Sequence, residues 1–231
     1  MELLYNGFTL DTPEGTFPLS TDSMVLGDFV RLPKNASVLD LGSGCGTLGL
    51  LLCAKDHGCT VTGIEMDPVA HQAALENIAR NQISQRLSSI CADLRSLSSQ
   101  IAPGSYSICV SNPPYFSGGY ASSTLPFARQ NNCCSTEDLF KAAAWALQYG
   151  GDFCIVHKPE MLAQLMACAV GEKLEPKRLR LLRHHPGANV SLILLQCRKG
   201  AKPGLIWEEQ HLYEADGTPS EHFKRIYHQE A

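Results

Sequence analysis

Two stretches of this chain hold residues whose types and spacing can do chemistry. The first, Val38-Leu39-Asp40-Leu41-Gly42-Ser43-Gly44-Cys45-Gly46-Thr47-Leu48-Gly49-Leu50, is an apolar strand that enters a glycine-rich turn and then an apolar helix. The second, Ser111-Asn112-Pro113-Pro114-Tyr115, closes a later apolar run. An exocyclic amine conjugated with a ring or carbonyl is a poor nucleophile, because its lone pair is delocalised. The Asn112 side-chain oxygen and the Pro113 carbonyl can accept its two hydrogens and push that lone pair toward an electrophilic methyl group. The two prolines remove backbone donors and stiffen the turn, so carbonyls there stay free. Tyr115 can stack on the ring, as aromatic groups do for bases taken out of a helix. No strong base is required, since the nitrogen becomes acidic as it is methylated. Asn112, Pro113, Pro114 and Tyr115 are therefore the candidate catalytic set, and the chemistry they suit is methyl transfer to nitrogen.

The glycine turn must be positioned by a sheet. Gly42, Gly44 and Gly46 supply backbone angles that a side chain would obstruct and let a ligand approach the main chain. Taken alone, this geometry also serves dinucleotide-binding folds. Cys59-Thr60-Val61-Thr62-Gly63-Ile64 reads as the next strand and ends on Glu65, where a carboxylate can take both hydroxyls of a ribose; Asp67 reads as the cap of a helix over residues 68–80 opened by Pro68. A third strand, Leu87-Ser88-Ser89-Ile90-Cys91, is closed by Ala92-Asp93-Leu94. Asp93 is then either a ligand contact at the same edge or a cap for the following turn. This spacing resembles the class I S-adenosylmethionine-dependent methyltransferases. The resemblance implies S-adenosylmethionine as cofactor, Asp93 as acceptor for its adenine amino group, and a cofactor site lined by Asp40, Gly42, Ser43, Gly44, Gly46, Glu65, Met66, Asp93, Leu94 and Asn112.

The remaining elements follow from pattern. Tyr106-Ser107-Ile108-Cys109-Val110-Ser111 is a buried strand that runs into the Asn-Pro-Pro turn. The polar, glycine-containing residues 118–134 suit a segment that closes over a substrate. A helix over 136–149 opens at Ser135 or Thr136 and stops at Gly150-Gly151. Phe153-Cys154-Ile155-Val156-His157 is a fifth strand and 159–170 a helix. Residues 177–183 and 190–197, split by His185-Pro186-Gly187, make a final hairpin. The expected fold is α/β: a Rossmann-like seven-stranded sheet, mostly parallel with one antiparallel strand and helices on both faces. One methyltransferase domain is expected over 1–231, with a lead segment to 35, a catalytic core over 36–200 and an extension from 201.

With 231 residues, 44% of them hydrophobic and 18% charged, the chain can bury a good core. Its ten cysteines form no CxxC pair and fall largely inside predicted elements, which reads as reduced core residues of a cytoplasmic protein with no signal peptide and no membrane span. No residue set is assigned to a metal; the adjacent Cys133 and Cys134 lack further ligands at suitable spacing. The net charge of −4 excludes a generally basic nucleic-acid binder, but residues 173–202 hold eight Lys or Arg against one acid, +7 locally, so the remainder carries −11. Lys177, Arg178, Arg180 and Arg183 could grip RNA phosphates, or could be the solvated side of an edge strand. Lys158 and Arg129 are further candidates for RNA contact.

The start of the chain narrows the family. Gly7-Phe8-Thr9-Leu10 and the run from Phe17 to Val30 predict a short strand hairpin followed by a helix. Together with Asp40-Leu41-Gly42-Ser43-Gly44, Gly63-Ile64-Glu65-Met66-Asp67, Asn112-Pro113-Pro114-Tyr115 and Phe127-Ala128-Arg129, this segment resembles the bacterial tRNA (adenine-N6)-methyltransferases that act beside the anticodon of valine tRNA. The resemblance spans about residues 5–200. Residues 11–15 and 204–231 fall outside it, and Asn132-Cys133-Cys134 departs from the polar loop it implies. It implies N6 methylation of an anticodon-loop adenine, with the tRNA anticodon stem-loop as partner and no obligate protein partner. A guanine-N2 rRNA methyltransferase would need the same acceptors. A protein glutamine N5-methyltransferase carries the same loop, but also an N-terminal helical domain for which the residues before Val38 leave no room.

Overall fold

Strands of a parallel sheet are covered on both faces and read as continuous apolar runs. In the computed structural model, which describes residues 1–114 and 134–227, the runs of this kind occupy the middle of an eight-stranded sheet. A separate antiparallel pair, β1 (Glu2–Leu3) and β2 (Thr9–Leu10), precedes it. The sheet comprises β3 (Ser37–Leu41), β4 (Thr60–Glu65), β5 (Leu87–Cys91), β6 (Tyr106–Ser111), β7 (Leu147–His157), β8 (Leu174–Arg183), β9 (Val190–Lys199) and β10 (Ile206–His211). Their order is β10-β8-β9-β7-β6-β3-β4-β5, and β9 alone runs against the others. The Rossmann-like methyltransferase plan with one reversed strand holds, with one strand more than the seven expected.

Alternate residues of each central strand feed two cores. Val38, Ile108, Val110, Cys154, Val156 and Leu194 pack under α1 (Thr21–Phe29), α2 (Thr47–Lys55) and α3 (Pro68–Arg80). Leu39, Leu41, Cys109, Phe153, Ile155 and Leu195 pack under α4 (Thr136–Ala146) and α5 (Leu162–Gly171). Local chemistry sets the helix starts. Asp67 Oδ1 accepts from Val69 N at 3.0 Å ahead of Pro68, and Ser135 and Asp138 form a reciprocal capping box. Among the described residues no helix is long and apolar enough to cross a membrane.

Two expectations need correction. The helix expected over 136–149 ends at Ala146, and Gly150-Gly151 lie inside β7. Their role is a strand irregularity: the register shifts between Tyr106 and Ile108, Gly150 has φ of +80°, and a Cβ on Gly151 would meet the Ser107 carbonyl at 2.9 Å. The basic stretch is the other. β8 is not an edge strand, because β10 pairs with it in parallel register from Ile206 opposite Arg178 to His211 opposite Arg183.

Arg178 and Arg180 accordingly cannot serve as an RNA-facing patch. They are 3% and 8% exposed and hold the C-terminal strand and helix α6 (Glu221–Ile226) onto α1. Arg180 Nη1 lies 2.9 Å from Asp28 Oδ2 and its Nε 2.9 Å from Glu208 Oε2. The Arg178 guanidinium sits 3.9 Å from the centre of the Phe29 ring, donates to the Phe29 carbonyl, and has Nε 3.7 Å from Glu208 Oε1. Asp28 also accepts from Arg225 of α6 at 2.9 Å, and His222 faces it at 3.9 Å. The chain beyond residue 200 is thus built into the sheet by charge pairing.

Burial alone would raise the Asp28 carboxyl, but the hydrogen bonds and charges of Arg225 and Arg180 outweigh it and hold the group at about 2, below its usual 3.8. A carboxyl depressed by folding contributes stability that is complete above the higher value and lost as pH falls through the lower. We expect the stability of the wild type to decline between about pH 4 and pH 2 in part through this group. Asp28→Ala, which leaves Arg180 buried without its partner, should cost about 3–5 kcal/mol in urea denaturation at pH 7.

Candidate active site

Ligands of open α/β sheets bind beyond the carboxyl ends of the strands, where the chain switches direction across the sheet. Here that point lies between β3 and β6: the chain runs from β3 outward through β4 to β5, then returns to the other side of β3. Leu41 lies opposite Ile64, Asp40 opposite Val110 and Glu65 opposite Cys91. Gly42, Glu65, Asn112 and Ala92 therefore leave the sheet at one level. Ser111 Oγ donates to the Leu41 carbonyl at 2.7 Å, which locks the exit of β6 to the exit of β3.

The glycine loop is shaped by its own backbone. Gly42 N and Ser43 N both donate to the Ile64 carbonyl, at 2.9 and 3.0 Å, and Gly42 and Gly44 take φ of +75° and +56°. A Cβ on either glycine would point into open space, so the strain of those angles, rather than crowding by the protein, calls for glycine. Gly46 caps α2 with its own positive φ. Glu65 is bound to this loop, its Oε2 accepting from Gly44 N at 2.8 Å and its Oε1 from Asp67 N at 2.8 Å. Gly63 leaves room for Ser43, whose Oγ would lie 2.5 Å from a Cβ at that position.

Three buried polar atoms beside the loop have no hydrogen-bond partner among the described residues: both Asp40 carboxyl oxygens and Ser43 Oγ. Such groups are costly unless something satisfies them. Burial pushes the Asp40 carboxyl up to about 8; the Glu65 charge adds to this, and the nearby Gly49 N–H offsets it only in part. A ligand with polar and cationic groups held against Gly42 and Gly44 would fill the open space and meet these atoms. S-adenosylmethionine carries both an ammonium and a sulfonium, so the residues present fit it.

The other candidates fall as follows. Met66 is exposed beside Glu65, and Leu94 packs on the second core. Asp93 takes the capping role: it accepts from Arg95 N at 2.8 Å and pairs with the Arg95 guanidinium, whose hydrogen bonds hold its carboxyl below the usual range against a small opposing effect of burial. Pro113 is half-buried and Pro114 exposed at the mouth. Asn112 donates from Nδ2 to Ser23 Oγ at 3.0 Å. Tyr115, Arg129 and residues 118–133 lie outside the described residues. Lys158 directly follows β7 and Arg183 ends β8, both toward the carboxyl ends of the parallel strands; Arg183 donates to the Ala188 carbonyl and lies 3.7 Å from Glu209. Lys177 sits earlier on β8, about 20 Å away along the strand, and donates to the Lys202 carbonyl.

Two contributing residues carried no role in the sequence reading. Asn77 is fully buried on α3, donates from Nδ2 to the Cys45 and Asp11 carbonyls at 3.0 and 2.9 Å, and accepts from Asp11 N at 2.9 Å. It ties the glycine loop to the lead segment. A polar residue in the apolar stripe Ala70, Ala73, Ala74, Ile78 was its available signal. Ser23 had none, since only the packing of α1 brings it to Asn112.

Comparison with known proteins agrees with this fold. The family described as "Methyltransferase small domain" matches residues 21–175. A tRNA1(Val) (adenine(37)-N6)-methyltransferase of Bacteroides fragilis is 31% identical over 186 residues, 80% of this chain and 78% of that protein. One from Aeromonas hydrophila is 25% identical over 96% of this chain and 93% of its own. Among solved structures, a protein of Agrobacterium tumefaciens described as a predicted O-methyltransferase superposes with a TM-score of 0.76 at 19% identity, covering 90% of this chain and 96% of that one. The likeness in structure supports the fold, and the likeness in sequence supports the family.

The state of Asp40 gives a test of the cofactor site that does not need turnover. Asp40 is protonated below about pH 8 in the free protein, and a cationic ligand against it favours the ionised form. Binding of S-adenosylmethionine should therefore release a proton between about pH 5 and pH 8, with affinity rising over that interval and levelling above it. Calorimetry in two buffers of different ionisation enthalpy should show that release in the wild type and its loss in Asp40→Asn.

Proposed function

The chain belongs to the methyltransferase small domain family and, within it, to the tRNA1(Val) (adenine(37)-N6)-methyltransferases, and on that premise we propose that it methylates the exocyclic N6 of an adenine in the anticodon loop of a tRNA, using S-adenosylmethionine. The observation that carries this reading is the placement of Asn112 and Pro113 directly beside the Gly42–Gly46 loop at the switch point of the sheet, joined by the Ser111–Leu41 hydrogen bond. Bound S-adenosylmethionine supplies an electrophilic methyl group on sulfur.

The chain's own residues do the rest. Asp40 and Ser43 meet the polar end of the cofactor, Gly42, Gly44 and Gly46 give it access to backbone, and Glu65 takes its ribose while holding the loop through Gly44. Met66 and Leu94 flank its adenine, whose amino group Asp93 can accept on lone pairs not used by Arg95. Asn112 Oδ1 and the Pro113 carbonyl accept the two hydrogens of the target amine, raise electron density on nitrogen and aim its lone pair along the line of transfer. Pro114 keeps that turn stiff, and Tyr115 supplies the stacking face. The methylated nitrogen then loses its proton readily, so the site has no need of a strong base. Lys158 and Arg183, toward the carboxyl ends of their strands, and Arg129 are the residues we assign to contact with anticodon-stem phosphates. A tRNA substrate also fits work in the cytoplasm.

Incubation with radiolabelled S-adenosylmethionine and bulk tRNA from a strain lacking this gene, followed by digestion to nucleosides, tests the proposal. Labelled N6-methyladenosine is expected. Label in rRNA as a guanine derivative, or in protein glutamine, would overturn the substrate while keeping the fold and cofactor. Asn112→Ala should lower kcat by about 100-fold or more, with S-adenosylmethionine affinity within about twofold of the wild type. Equal loss of both would remove Asn112 from the acceptor role.

A further inference from the structure

We propose that Ser23 is a positioning residue for methyl transfer: it holds the Asn112 side-chain amide so that Oδ1, and not Nδ2, faces the amine being methylated. The inference rests on the functional reading above. An asparagine amide has two ends of nearly equal shape and opposite polarity, one accepting and one donating. Turned the wrong way, Asn112 would present two N–H donors to an amine that also offers N–H donors, and the site would repel its substrate. Neighbouring groups decide which end points where.

Among the described residues the polar neighbour bonded to this amide is Ser23, whose Oγ accepts from Nδ2 at 3.0 Å. A hydroxyl can donate as well as accept, so Ser23 discriminates only if its own hydrogen is directed elsewhere. Ser20 provides that direction. Its Oγ lies 3.5 Å from Ser23 Oγ and accepts from Ser23 N at 3.4 Å, and its backbone is the N-cap of α1. With the Ser23 hydrogen turned to Ser20, only lone pairs face Asn112, and Nδ2 is drawn to them. Ser23 is 7% exposed, so bulk water does not compete for the contact. In that arrangement the Asn112 amide donates to Ser23 at 3.0 Å and the Ser23 hydroxyl turns to Ser20 across the longer contact of 3.5 Å. Oδ1 is left as the free acceptor.

The test compares wild type, Ser23→Ala, Ser23→Gly and Ser23→Thr on an anticodon stem-loop RNA, with S-adenosylmethionine affinity measured by calorimetry on each. Removing the hydroxyl frees the amide to turn, so Ala and Gly should each lower kcat by about tenfold or more. KM for RNA and cofactor affinity should stay within about twofold. Thr, which keeps the hydroxyl, should recover most of the rate wherever its cofactor affinity shows that the fold is intact. A kcat within about twofold of wild type in Ala and Gly overturns the proposal. So does a parallel loss of cofactor affinity in both, or a Thr variant with intact affinity that is as slow as Ala. If the wild type itself makes no N6-methyladenosine, the functional reading fails and this inference falls with it, a result distinct from active wild type with indifferent Ser23.

Discussion

Two backbone N–H groups, of Gly42 and Ser43, converge on a single carbonyl, that of Ile64, and the site depends on this junction. It extends the pairing of β3 with β4 by one step past the end of the regular strand and turns the chain there, so that the glycines must take left-handed angles and the following residues must start a helix. Glu65, next in sequence to the accepting carbonyl, then reaches back to Gly44 N. The strand that supplies the acidic residue and the loop that receives the ligand are thereby one hydrogen-bonded unit. On the other side, Ser111 performs the matching function by bonding to the Leu41 carbonyl, and it delivers Asn112 to the same level. A ligand between the two loops is held by parts that cannot move independently.

Around this unit the protein places unsatisfied polarity where a ligand can relieve it. The Asp40 carboxyl and Ser43 hydroxyl are buried with no partner of hydrogen-bonding geometry among the described residues, which a fold would avoid if stability alone governed. Asn77 does the opposite: all of its hydrogen-bonding capacity is used, and it joins the glycine loop to the segment that precedes α1. Loop, lead segment and helix are consequently braced from behind by satisfied groups and left open in front at unsatisfied ones. That division between supporting and receiving polarity is the physical basis for reading the crevice as a cofactor site. At the amine-binding turn the same logic favours acceptors over bases. A conjugated amine needs its electrons redistributed more than its proton removed beforehand.

Charge elsewhere does structural work. Arg178, Arg180, Arg225, Asp28 and Glu208 come from α1, β8, β10 and α6, and their pairing attaches the C-terminal part of the chain to the sheet. Buried ion pairs of this sort are costly to desolvate, and their net contribution depends on complete pairing. The Phe29 ring beneath both guanidinium groups adds a face that tolerates positive charge. The arrangement keeps β8 from becoming an edge and turns its two buried arginines inward.

Much of this molecule was legible in its sequence, for reasons that are local. The glycine turn, the strands of residues 87–91 and 106–111 and the helix of residues 68–80 each state their conformation in short-range patterns: apolar runs, a proline in a first helical turn, a capping aspartate. The Asn-Pro-Pro turn states its chemistry the same way, because which atoms can accept hydrogen bonds there follows from residue type. What the sequence could not determine is which distant groups share a neighbourhood. Ile206–His211 has no apolar alternation to mark it as a strand, and it pairs with β8 where Glu208 meets Arg178 and Arg180. Gly150 and Gly151 read as a helix stop, yet pairing with β6 makes them a strand irregularity. Asp93 reads as a cap or as a ligand contact, and the structure adds a pairing with Arg95 that the sequence did not announce. Arg178 and Arg180 carried charge suited to solvent or to phosphate until Asp28, remote in the chain, turned them inward. Ser23 meets Asn112 only through the docking of α1. Local patterns are set by the covalent chain and its immediate hydrogen bonds, whereas burial and pairing of charge are properties of the packed whole, and only tertiary structure could decide them.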